Sequence, residues 1–317
     1  MKKLLLLLLF PSLLWAQTSF ELAVEYFNNE QYSQAKPLFH EYLKQNPDHT
    51  KTREYLGDIA GASKDWDTAV FYYKSLLEDK PNNANYNFKY GGALGLKAQE
   101  SNKFKALGYI GDIKQYLNKA AELDPNHIEA RWALVELYMQ LPGIIGGSEK
   151  KSMMYADQLK KISPVDGYLA HGYIAEYNDR PEDAEKYYKK AIEIGGSPHT
   201  YEKLTNLYEK NNQPAAAMAN AAISLKKHKR NSLNYQIGKI AAQYNLSPET
   251  GIKCLMEYIQ NHSVRDGVPK DWAYFRLAQI YKNTGDKDMA LKWINKALQD
   301  RPDFKEALQE KQRISSL

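Results

Sequence analysis

The segment of residues 271–304 has a residue pattern that only a pair of packed helices satisfies. Its apolar residues recur at steps of three and four residues, in two stripes: Tyr274, Leu277 and Tyr281, then Ala290, Ile294 and Ala297. Such steps indicate helices that each bury one face. The turn sequence Asn-Thr-Gly-Asp separates the two stripes. The segment therefore predicts a helix hairpin, which needs neighbours to cover its apolar faces.

The same pattern returns along the chain. The first helix of each pair carries a marker residue, small in most pairs: Ala23, Gly57, Gly91, Val135, Gly172, Thr205, Gly238 and Ala278. The second helix carries another: Ala35, Ala69, Ile113, Ser152, Ala184, Ala217, Gly251 and Ala290. Small residues let two helices approach closely, so we expect Gly57, Gly91 and Gly172 at close helix contacts. Repetition at a fixed period indicates a repeat array.

These residues resemble the tetratricopeptide repeat (TPR) family over nearly the whole chain. The resemblance implies an all-α fold, a right-handed superhelical solenoid of about eight repeats with a C-terminal capping helix. We expect a single solenoid domain over residues 17–317. Its predicted repeats are about 17–49, 50–83, 84–127, 128–164, 165–197, 198–230, 231–270 and 271–304, with a cap at 305–317. In the cap, Ala307, Leu308 and Ile314 are expected to face the stack, and Glu310 to face water.

The N-terminal segment resembles a secretory signal peptide. Two lysines precede an apolar run from Leu4 to Trp15, which is too short to span a bilayer and ends at Ala16. We therefore predict a signal peptide over residues 1–16, cleavage between Ala16 and Gln17, and a bacterial protein that is periplasmic or secreted. An uncleaved anchor is the alternative. No second run is long enough for a transmembrane segment in the mature chain.

Composition argues against several functions. A formal charge of +5, from 43 basic and 38 acidic residues, is too weak to indicate nucleic-acid binding. Cys254 is the only cysteine, which excludes an intrachain disulfide and a finger-type zinc site. The seven histidines form no metal motif, and the glycines at 143–147 lack the Gly-Lys-Ser/Thr of a phosphate loop. We expect no enzyme activity, cofactor or metal.

Two surfaces are candidates for binding a protein or peptide. In the TPR family, the first-helix face opposite the buried stripe lines a concave groove. In the middle repeats this face combines acids with aromatic residues: Glu129, Trp132, Glu136, Tyr173, Glu176, Tyr177 and Glu202. Such a face could hold a basic or amphipathic segment. Packing of Trp132 and Tyr173 on neighbouring helices is an equally good interpretation.

The second surface comes from two insertions. The spacing between first-helix and second-helix markers is longer in repeats three and four, within residues 102–112 and 141–149. We expect two lengthened turns side by side on one edge, with Phe104, Tyr109, Ile144 and Ile145 forming a patch. The alternative is that these side chains cover the ends of the core. Both surfaces favour a scaffold or adaptor. An accessory subunit of a cell-envelope enzyme or polysaccharide-handling complex is the alternative function.

Overall fold

The computed structural model describes the backbone of residues 10–317 and the side chains of residues 19–317. The predicted signal peptide lies outside the residues whose side chains are described. Over the described residues the chain is all-α, with no strand. The chain divides into two compact units, one ending at Ile162 and the other beginning at Ser163. Each unit is a series of helix hairpins and is described by itself.

The first unit contains four hairpins. Its helices are α1 (Phe10–Asn28), α2 (Tyr32–Gln45), α3 (Thr50–Ala62), α4 (Trp66–Asp79), α5 (Ala84–Glu100), α6 (Lys103–Leu123), α7 (Ile128–Gln140) and α8 (Glu149–Ile162). A short 3-10 helix, Gly143–Ile145, joins α7 to α8.

The second unit contains four more hairpins and a final helix. Its helices are α9 (Pro164–Tyr177), α10 (Pro181–Ile194), α11 (Pro198–Lys210), α12 (Pro214–His228), α13 (Asn231–Tyr244), α14 (Pro248–Gln260), α15 (Lys270–Asn283), α16 (Lys287–Asp300) and α17 (Lys305–Ser315). A 3-10 helix, Val264–Asp266, precedes α15.

The turn inside a regular hairpin is three residues long, and its middle residue has a positive φ. These residues are Glu30, Lys64, Asp179, Asn212 and Gly285. A single left-handed residue ends the first helix and reverses the chain direction. The side chain of the following aspartate caps the second helix in two repeats, where Asp65 accepts from the N–H of Thr68 and Asp286 from that of Met289. Turn and cap residues therefore set where each hairpin bends.

Tyrosine rings fill the space beside two first-helix glycines. A Cβ atom on Gly57 would lie 2.6 Å from Cε1 of Tyr73, and one on Gly172 would lie 2.4 Å from Cε1 of Tyr188. At Gly91 the neighbour is Leu117, with its Cγ at 3.1 Å. The expectation of a close helix contact at these three glycines is confirmed. No larger side chain fits at Gly57 or Gly172 unless the facing tyrosine moves.

Repeat three departs from the regular pattern. Its helices α5 and α6 have 17 and 21 residues, against 13 and 14 for α3 and α4. Our expectation of a lengthened turn over residues 102–112 is wrong, because this segment is helical from Lys103. The side chain of Asn102 caps the extended helix by accepting from the N–H of Lys105 at 3.0 Å. Only the segment after α7 forms the longer turn that we expect.

The final helix closes the second unit with one face. Ala307 and Ile314 are fully buried, as expected. Leu308 and Glu310 differ from expectation, since Leu308 is 44% exposed and Glu310 is 1% exposed. The Glu310 carboxylate accepts hydrogen bonds from Lys282 and Arg313, which replace its lost hydration.

Candidate functional site: an apolar cleft in the first unit

Repeats three and four of the first unit enclose a cleft of about 760 Å³. Three helices and one turn form its walls: α5, α6, α7 and the 3-10 helix Gly143–Ile145. Most of its lining is aliphatic side chain or glycine, with Phe88 as the single aromatic residue. This volume lies within the range of about 300–1,000 Å³ that is usual for ligand pockets.

The wall from α5 owes its depth to glycine. A Cβ atom on Gly92 or Gly95 would meet no other heavy atom within 4 Å. Packing therefore does not require glycine at either position, although glycine inside a helix costs about 0.5–1 kcal/mol relative to alanine. The position of Gly92 carries a larger residue in every other repeat: Val24, Asp58, Glu136, Tyr173, Asn206, Lys239 and Gln279. The glycines keep this wall open.

The wall from α6 is the helical extension that replaces the expected turn. Ala106 and Leu107 lie about one helical turn before Ile110, and all three residues line the cleft. Ile113 and Leu117 continue the same stripe into the buried core. A regular second helix starts three residues before its marker, here at Ile110, and would not supply Ala106 and Leu107. The additional length of α6 therefore builds one side of the cleft.

The turn after α7 forms another wall, and a hydrogen bond and its glycines fix its conformation. The Lys114 ammonium donates to the carbonyl oxygen of Ile145 at 2.6 Å. Gly146 adopts φ +95°, a conformation that L side chains rarely reach. A Cβ atom on Gly147 would lie 1.7 Å from the carbonyl oxygen of Leu141, so this position also requires glycine. Ile144 projects from this fixed turn and is 97% exposed.

Polar groups of the lining are few. The Gln99 amide donates to the Gln140 side-chain oxygen at 3.3 Å and so joins α5 to α7. Lys103 and Glu136 are the ionisable residues of the lining, and both are exposed. Among the described residues, Lys103 has no ion pair. The lining of the cleft is therefore suited mainly to apolar groups.

The predicted edge residues divide between two faces of α6. Ile144 and Ile145 line the apolar cleft. Phe104 is 89% exposed but does not line it. Tyr109 lies on the other face of α6, where Lys97 Nζ is 5.3 Å from its ring centre. There it lines a polar cleft of about 660 Å³ together with Trp66 and charged side chains. The structure thus places Tyr109 apart from the two isoleucines.

In the first unit, the predicted groove residues lie on α7. Glu136 lines the apolar cleft. Glu129 is exposed in the first turn, with its carboxylate 3.2 Å from Nδ1 of His127. Trp132 is half-buried, as the packing interpretation expects. Glu136 therefore joins the groove face of repeat four to the cleft.

In the second unit, the predicted groove residues form a partly internal cluster. The ring centres of Tyr173 and Tyr177 are 6.0 Å apart. The Glu176 carboxylate accepts a hydrogen bond from Tyr188 at 2.9 Å and pairs with Lys210 at 3.2 Å. Burial and the Glu176 carboxylate raise the pKa of Tyr188, which keeps the phenol protonated as a donor.

Glu202 lies on a different helix, α11. Its carboxylate is 3.7 Å from Nδ1 of His199 in the same helix. Glu176 is bonded to Tyr188 and Lys210 within the second unit. Tyr177 is 50% exposed and so contributes apolar surface to this face.

Sequence reasoning missed the residues that give the apolar cleft its shape. Gly92, Gly95 and Lys114 were not among the predicted site residues. Gly92 carries a signal, because every other repeat has a larger side chain at this first-helix position, whereas the position of Gly95 is also glycine in repeat two, at Gly61. Lys114 carries none, because its partner is a backbone carbonyl 31 positions away. Over the described residues, no group of three histidine, cysteine, aspartate or glutamate residues could hold a metal ion. Likewise, none of the described helices is both long and apolar enough to cross a membrane.

Comparisons with known proteins agree with this architecture. One tetratricopeptide repeat family model matches residues 165–194 and 273–304, and a second matches residues 20–86. Comparison with curated protein sequences finds no match. The chain is similar in fold to a tetratricopeptide repeat protein from Parabacteroides merdae, with 17% identity and a TM-score of 0.52. The similarity covers 84% of this chain and 98% of that one.

Two further solved structures are similar. The first is a thermophilic TPR protein of Thermus thermophilus, with 17% identity, a TM-score of 0.43, and coverage of 71% of this chain and 98% of that one. The second is YrrB, described as a TPR protein with an unusual peptide-binding site, with 15% identity, a TM-score of 0.44, and coverage of 62% and 97%. The family models match both described units of helix hairpins, and the chain is a member of the tetratricopeptide repeat family.

Proposed function

We propose that this protein is an exported, non-enzymatic scaffold that binds a partner protein at the apolar cleft. TPR proteins in general mediate interactions with protein or peptide partners. The observation that carries the proposal is the cleft itself, whose walls from α5, α6 and the turn after α7 each depart from the regular repeat. Two longer helices, two glycines that packing does not require and a turn fixed by a hydrogen bond all contribute to one concave apolar surface.

Several apolar side chains that line the cleft are exposed. Leu96 is 42% exposed, Leu107 49% and Ile144 97%. Their contact with water is unfavourable, and each square ångström of apolar surface that a partner covers contributes about 25 cal/mol. Contiguous exposed apolar surface with a polar rim is typical of interaction sites. A partner that fills the cleft would cover these side chains.

A photo-crosslinking side chain at position 144 tests the proposal. The matched control is position 264, because Val264 is 94% exposed in a different turn of the chain. We expect irradiation in cells of the source organism to give a discrete protein adduct from position 144 and none from position 264. Equal labelling at both positions, or adducts with small molecules alone, would contradict the proposal.

The second-unit groove face is the rival location. Tyr177 is 50% exposed there, next to Tyr173. A crosslinking residue at position 177 distinguishes the two surfaces in the same experiment. A protein adduct from position 177, with none from 144, would move the binding site to the groove.

Export is a separate part of the proposal and has its own test. The support is the basic start and short apolar run of residues 1–16. We expect intact-mass measurement to show a chain that begins at Gln17, in the periplasm or the medium of a bacterial host. A full-length chain in the membrane fraction would contradict it.

A further inference from the structure

We infer that the segment bound in the apolar cleft is an amphipathic α-helix that carries an acidic residue beside its apolar stripe. This inference rests on the proposed function and specifies the partner. Three properties of the cleft support it: the small number of hydrogen-bonding groups in its lining, the exposed apolar side chains of its lining, and one positive charge without an ion pair among the described residues.

The interior of the cleft offers almost nothing to a polar backbone. Three of its four walls are the α-helices α5, α6 and α7, whose backbone N–H and C=O groups are bonded within each helix. An extended peptide placed there would bury amide groups without partners, which is costly. A helix satisfies its own backbone groups and presents only side chains. The cleft therefore selects a helix over a strand.

The open side of α5 suits the approach of another helix. Gly92 and Gly95 lie one turn apart, with no heavy atom within 4 Å of where their Cβ atoms would be. Small residues at this spacing let two helix backbones come close together. Leu96, Leu107 and Ile144 line the cleft and are 42%, 49% and 97% exposed, so its apolar surface is open to a partner. A helix is about 10–12 Å wide, so its side chains can contact α5, α6 and the turn after α7 together.

Charge at the rim specifies the partner further. Lys103 lines the cleft at the start of α6 and has no ion pair within the described part of the chain. A carboxylate beside the partner's apolar stripe would complement it. Glu136 also lines the cleft and would repel the same carboxylate. The acidic residue of the partner therefore belongs at the Lys103 end, which also gives the bound helix a direction.

Synthetic peptides test the inference with the purified protein. The probe is a leucine-striped amphipathic helix of four turns with one flanking glutamate. Three comparison ligands are the same peptide with lysine in place of that glutamate, the same peptide with a central proline, and sodium dodecanoate. Calorimetry should show the strongest binding for the glutamate peptide. We expect a loss of at least tenfold with proline, and a loss of about two- to fivefold with lysine at low salt.

Three variants locate the binding. Gly95→Leu fills the cleft from an open position and should weaken binding at least tenfold. Gly111→Leu is the matched control, because Gly111 is also an open helical glycine but does not line the cleft. Its affinity should not change. Lys103→Glu should reverse the preference between the glutamate and lysine peptides. Circular dichroism of both leucine variants should show unchanged helicity.

Each contrary result has a definite meaning. Equal binding of the proline peptide would exclude a helix, and binding of dodecanoate alone would reassign the cleft to amphiphiles. An equal effect of Gly95→Leu and Gly111→Leu would place peptide binding elsewhere. A protein adduct at position 144 without binding of any helical peptide would overturn this inference and leave the proposed function standing. Failure of both experiments would overturn both.

Discussion

Repeats three and five have glycine at the same position of their first helices but differ at the next residue. In repeat five, Gly172 gives its space to the ring of Tyr188, which is 1% exposed, and the next residue is Tyr173. In repeat three, Gly91 contacts Leu117, but the next residue is Gly92, whose open side faces the cleft. Repeat three therefore leaves one face of its first helix unfilled at the position where repeat five carries a tyrosine side chain.

The difference separates two roles of glycine in one family of helices. Close packing explains Gly57 and Gly172, since a facing tyrosine occupies the space. No contact within the chain explains Gly92 and Gly95. Residues that lower helix stability without a packing reason are expected at functional sites. Substitutions at the two kinds of position should therefore have effects of opposite sign.

The largest expected effect is that of Tyr188→Ala. It removes a fully buried ring and the hydrogen bond to Glu176, and large-to-small changes of this kind cost about 3–5 kcal/mol. The counterpart in repeat three, Leu117→Ala, should cost nearer 2 kcal/mol, because Leu117 borders the open cleft. Urea unfolding followed by circular dichroism measures both. Equal costs would show that the cleft does not relieve packing in repeat three.

A smaller loss is expected for Gly172→Leu. The new side chain would overlap the Tyr188 ring, and overpacking costs about 1–3 kcal/mol. Hydrogen exchange should show faster exchange in repeats five and six, since damage in a repeat array spreads mainly to neighbours. Unchanged protection there would mean that the Tyr188 ring can move aside at no cost.

The opposite sign is expected for Gly92→Ala. An added methyl group meets no neighbour, and alanine favours the helix by about 0.5–1 kcal/mol. The free energy of unfolding should therefore rise slightly, as measured in the same urea experiment. A decrease would indicate that Gly92 has a packing role in the folded chain.

The smallest expected effect is on the pH dependence of the free energy of unfolding. It compares a paired charge, that of Glu54, with an unpaired one, that of Lys103. Burial raises the pKa of Glu54, but hydrogen bonds from Lys89 and Lys51 outweigh it, and the pKa lies below its ordinary value of 4.5. The folded state thus holds this proton less tightly than the unfolded state does. Its contribution to stability is present above pH 4.5 and is lost as the pH falls through the lowered pKa.

Glu54→Gln should therefore reduce the loss of stability in acid, as measured by urea unfolding between about pH 3 and pH 6, which is about 1.5 units on either side of the ordinary carboxyl pKa. The control is Lys103→Met at the unpaired lysine of the cleft, which should leave the pH profile unchanged. A profile that Glu54→Gln does not alter would show that the bonds from Lys89 and Lys51 do not persist in solution.

Local periodicity made the helix hairpins and the close-contact glycines predictable, because a buried helix face repeats every three to four residues. Residues 102–112 were harder to interpret, since Gly108 and Gly111 are typical of a turn. The Asn102 cap and the apolar residues Leu107 and Ile110 make this segment a helix. Successive residues of a helix point about 100° apart, so Tyr109 lies on a different face of α6 from Ile110, which lines the cleft with Ile144. The predicted edge patch therefore divides in two.

The hydrogen-bond and ion-pair partners of the predicted acidic residues cannot be predicted from the sequence. Glu176 lies on an accessible helix face by pattern, yet its hydrogen-bond partners come from two other helices, through Tyr188 and Lys210. Pairing across helices depends on distances that periodicity does not supply. The same limit applies to Lys103, where the absence of an ion pair is a property of the folded unit.

Within each unit, helices pack mainly against those that precede and follow them in the chain. Little of the packing joins residues that are distant in sequence, so little loop-closure entropy opposes folding. Within a unit, each hairpin can pack on the preceding one soon after it has emerged from the ribosome, and the new pair covers apolar faces that neither hairpin covers alone. The cleft is complete only when the turn after α7 has emerged, so the order of synthesis also fixes when the proposed binding surface is formed.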